Sequence, residues 1–155
     1  MYLMEMLPKL KEAVINMEKT NYNVKTILKI IAIISFLGIQ GIGQHATLNI
    51  GIIFLFLYQF FFSMFNSDYD FFWKGLFIIL VIAVLIVYYS CYRYKDKYLT
   101  IACFLSLFLS NLVMCGIYNP QNSGDDIPLG FIIPTAVFIT SSIALIILNF
   151  KKTDS

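Results

Sequence analysis

Residues 75–92 read Gly75-Leu-Phe-Ile-Ile-Leu-Val-Ile-Ala-Val-Leu-Ile-Val-Tyr-Tyr-Ser-Cys-Tyr92. No charged side chain interrupts the run. As a helix it extends about 27 Å at 1.5 Å per residue, close to the thickness of a hydrocarbon core. It lacks the two-residue alternation of a membrane barrel, and backbone groups in lipid find no water, so a crossing helix is the default. Aromatic side chains mark both interfaces: Tyr69 and Trp73 at one, and Tyr88, Tyr89, Tyr92, Tyr94 and Tyr98 at the other.

Working outward, the turn Cys91-Tyr-Arg-Tyr-Lys-Asp-Lys97 is short and basic, so the positive-inside bias places residues 93–97 in the cytoplasm. Two further apolar runs follow, 99–118 and 130–150. The Pro/Asn/Gly-rich loop between them, with Asp125 and Asp126, then lies outside, and Lys151 and Lys152 in the tail 151–155 return inside. Two more runs precede the first, 27–43 and 48–65. The expected fold is an all-α integral membrane protein, a polytopic bundle of five transmembrane helices within 27–150, alternatively four. The two counts conflict for a reason. Five crossings follow from hydropathy, but they put Lys9, Lys11, Lys19 and Lys25 outside. A single net crossing by residues 27–65 puts nearly every Lys and Arg inside. The polar stretch Gly38-Ile-Gln-Gly-Ile-Gly-Gln-His-Ala-Thr47 is suited to a turn or a re-entrant break.

Composition agrees with the class. Of 155 residues, 59% are apolar and 13% charged, about half the charge of an ordinary soluble domain. A soluble globule, a disordered chain and a disulfide scaffold are excluded. The net charge of +2 and the absence of a basic face argue against nucleic acid. The residue bias toward Lys, Asn, Ile, Phe and Tyr suggests an AT-rich genome, and the expected location is a bacterial inner membrane.

In the N-terminal segment 1–26, Leu7, Leu10, Val14 and Met17 recur at helical spacing with Lys9, Glu12, Asn16 and Lys19 opposite. This predicts a short amphipathic helix on the membrane or on a partner. Its length before the first apolar run disfavours a cleaved signal peptide.

Membrane helices associate through small residues and occasional polar contacts. Ala102, Ser106 and Ser110 repeat every four residues, as do Ala136, Thr140 and Ala144. These stripes predict that the last two helices pack together at the centre. Pro134 predicts a kink that frees a carbonyl for a Ser or Thr. Gln59, Asn111, Thr140 and Ser141 are the uncharged polar groups at depth, suited to an interhelical network or to lining a small-solute cavity. Gln40, Gln44, His45 and Asn49 form a polar patch at the end of a run. Lys29, one turn into its run, is expected to snorkel to the interface.

Catalytic and metal chemistry find little support. His45 stands alone, without an acid or a second ligand nearby, so no metal site and no cofactor is expected. Cys91, Cys103 and Cys115 form no CxxC pair, and no nucleotide, zinc or hydrolase motif occurs. The expectation is a non-catalytic integral membrane protein working through protein–protein contacts in the bilayer. It would be an accessory subunit or an immunity-type protein, partnered by another membrane protein or by its own copies. The alternative is a homo-oligomeric channel or facilitator for a neutral small solute.

Overall fold

A computed structural model describes residues 2–42, 47–66, 69–91, 96–116 and 127–150. Among these residues lie five helices: α1 Tyr2–Leu37, α2 Asn49–Asn66, α3 Tyr69–Ser90, α4 Lys97–Met114 and α5 Leu129–Phe150. Among the described residues there is no strand, only an isolated antiparallel bridge between Gln40 and Leu48. Gln44, His45, most of the 93–97 turn and the tail 151–155 lie outside the described residues.

Among the described residues three helices are long and apolar enough to cross a membrane: Phe72–Ser90 of α3, α4 and α5. The expected set of five is therefore not what the structure supports. The apolar stretch of α2, Asn49–Phe65, is shorter. The run 27–43 is not one helix either, because α1 stops at Leu37. Its helical part covers about 16 Å, half a hydrocarbon core. In the other direction α1 continues without a break through the N-terminal segment, for 36 residues in all.

Contacts fix the helix directions. Phe36 meets Phe138 with ring centroids 5.7 Å apart, and the Gln40 N–H bonds the Gly130 carbonyl, so α1 and α5 are antiparallel. Phe104 meets Phe138 at 5.6 Å while Thr100 reaches Asn149, so α4 and α5 are antiparallel too. The end of α3 lies beside Lys29 and Ser142, which sets α3 against α1. Two residues separate α2 from α3, and the two pack closely with Phe60 against Phe72 at 5.3 Å. Hence α2 runs opposite to α3 and in the same direction as α1. The most extensive packing is α1 on α5, followed by α2 on α3 and α3 on α4. The core is built around Phe36, Phe138, Leu107, Leu145, Val81 and Ala32.

The small-residue stripes do not join α4 to α5, whose mutual packing is modest. Ala102, Ser106, Ala136 and Thr140 are exposed, and Ser110 and Ala144 half-buried. The buried faces instead carry Thr100, Cys103, Leu107 and Asn111 on α4, and Phe138, Ser141, Ser142, Leu145 and Asn149 on α5. Large side chains such as Phe36, Phe104 and Phe138 fill the space between helices. Size complementarity, not small-residue approach, sets these internal faces.

Candidate functional site

A helix leaves its last carbonyls without intrahelical donors, and in a membrane bundle other elements must supply them. In this chain they come from far away in sequence. The hairpin-like connection between α1 and α2 is held by Gly41 N–H to the Thr47 carbonyl (2.9 Å) and Asn49 N–H to the Ile39 carbonyl (2.8 Å). It docks on two carbonyls. One is that of Cys115, at the end of α4, which accepts from Ile42 N–H at 3.0 Å. Gly116 follows with φ 72°, the left-handed turn that a glycine permits at a helix end.

The other is that of Gly130, which accepts from Gln40 N–H at 3.1 Å. Gly130 stands four residues before Pro134, so this is the carbonyl that proline deprives of its helical donor. The expected rescue by Ser or Thr gives way to rescue by backbone. Gly130 also lacks the Cβ that would collide with the Gln40 side chain.

Asn49, at the start of α2, completes the junction. Its Nδ2 donates to the Phe36 carbonyl (2.9 Å) and to Asn111 Oδ1 (2.8 Å). The first bond caps α1, and the pair of bonds fixes the orientation of both amides. Cys115 Sγ lies 3.2 Å from the same Asn111 oxygen. Asn49 and Asn111 are both fully buried. Asn111 Nδ2 has no acceptor among the described residues. The structure thus brings together one residue from each polar group singled out in the sequence.

The rest disperse. Gln59 is half-buried, about 15 Å along α2 from Asn49, and its Oε1 has no donor among the described residues. The Thr140 hydroxyl donates to the Ala136 carbonyl of its own helix at 2.9 Å, and that of Ser141 to Val137 at 2.6 Å. Gln40 contributes its backbone to the junction.

A second buried layer lies at the other end of α4. Lys29 is wholly buried and does not snorkel: its Nζ donates to the Tyr89 carbonyl (2.9 Å) and to that of Cys91. The ammonium thereby caps α3, where the helix dipole favours a cation. Tyr88 Oη pairs with Ser142 Oγ at 3.0 Å, and Asn149 Nδ2 lies 3.5 Å from Thr100 Oγ1. The sequence signal for Lys29 was its register, since Lys29, Ala32 and Phe36 share the inward face of α1.

Among the described residues no three metal-ligating side chains gather. Comparison of the chain with protein-family models, with curated proteins and with solved structures finds no match. The chemistry of the two layers is that of hydrogen-bonded junctions between helices.

Proposed function

We propose that this chain is a non-catalytic integral membrane protein that works by seating another membrane helix against its outward small-residue faces. The observation behind this reading is the placement of Ala102, Ser106, Ala136 and Thr140, which lie exposed on α4 and α5 rather than between them. Small side chains facing lipid let a second helix backbone approach closely, and such approach is what drives association where hydrophobicity cannot. The neutral-solute facilitator has less support, because Gln59, Asn111 and Thr140 stand apart and share no lining.

The same proposal includes the crossing pattern. Two successive helices running the same way, with α1 capped by the first residue of α2, favour one interrupted crossing by α1 and α2. With α3, α4 and α5 that makes four. Ten of the eleven Lys and Arg then belong to one end: Lys9, Lys11, Lys19, Lys25 and Lys29, then Arg93, Lys95 and Lys97, then Lys151 and Lys152. Lys74 belongs to the other end, with Asp68, Asp70, Asp125 and Asp126. The basic end is the cytoplasmic one, in a bacterial inner membrane.

The test is purification in mild detergent followed by native mass spectrometry. The wild-type chain is expected to retain a second membrane protein or its own copies. Ser106→Leu should reduce that association at least tenfold, whereas Ser106→Ala, which keeps the surface small, should not. Wild-type association by Ser106→Leu overturns the reading.

A further inference from the structure

We draw no further inference here: the strongest candidate, the exposed aromatic face that Tyr58, Phe61, Phe62 and Phe65 form at helical spacing along α2, is an apolar surface patch, and nothing in the structure shows what covers it.

Discussion

Asn49 shows how one side chain governs the junction. Its amide spends both N–H groups, one on the end of α1 and one on α4. Asn49→Leu leaves the Phe36 carbonyl bare and should cost about 1–3 kcal/mol in a reversible detergent unfolding assay. Asn111→Leu should cost less, because it also removes an amide nitrogen that has no acceptor among the described residues. A double-mutant cycle should give a coupling of about 0.6–1.7 kcal/mol, the range for interhelical bonds in a membrane protein. Additivity would mean that the bond contributes nothing. Asn111 was legible as a polar group at depth needing a partner, and Asn49 only as part of a polar patch at the end of a run; their pairing was not legible, since 62 positions separate them. Lys29 was misread for a related reason. A lysine one turn into an apolar run ordinarily reaches the interface, and only tertiary packing supplies the carbonyls of Tyr89 and Cys91 that hold it inside.

Elements were readable wherever hydropathy and helicity coincide. The runs for α3, α4 and α5 were found to within a few residues, apart from the early start of α3 at Tyr69 and the early end of α4 at Met114. The first run failed because Ile39 and Ile42 are apolar yet lie in the docked connection, and hydropathy does not distinguish a buried extended segment from a helix. The stripes on α4 and α5 were real as patterns and faced the other way. For the α2–α3 pair the sensitive point is Gly75, where a Cβ would overlap the root of the Phe60 side chain. Phe60 Cβ moves only with its backbone, so α2 must shift. Gly75→Ala should destabilise by about 1–3 kcal/mol. Gly51→Ala meets nothing within 4 Å and should stabilise α2 by roughly 0.5–1 kcal/mol. Thermal unfolding of both variants checks the contrast, and equal shifts would remove Gly75 as a packing determinant.

At the scale of the whole molecule, the conflict between hydropathy and charge has a structural counterpart in two helices that run the same way in succession. The four-crossing pattern makes a direct prediction. Membrane-impermeant labelling of single cysteines near Met1 and at residues 92–95 should require permeabilised cells, whereas positions 67–68 and 117–126 should react in intact ones. Labelling of the first position from outside would restore five crossings. The long reach of the contacts also bears on how the chain is made. The segment Ile27–Leu37 is too short to settle in a bilayer unaided. The carbonyls that hold Lys29 arrive only with α3, and the carbonyl that holds Gln40 arrives only with α5. The contacts that hold the end of α1 are therefore non-local, and they can be completed only once α5, the last of the five helices, is in place.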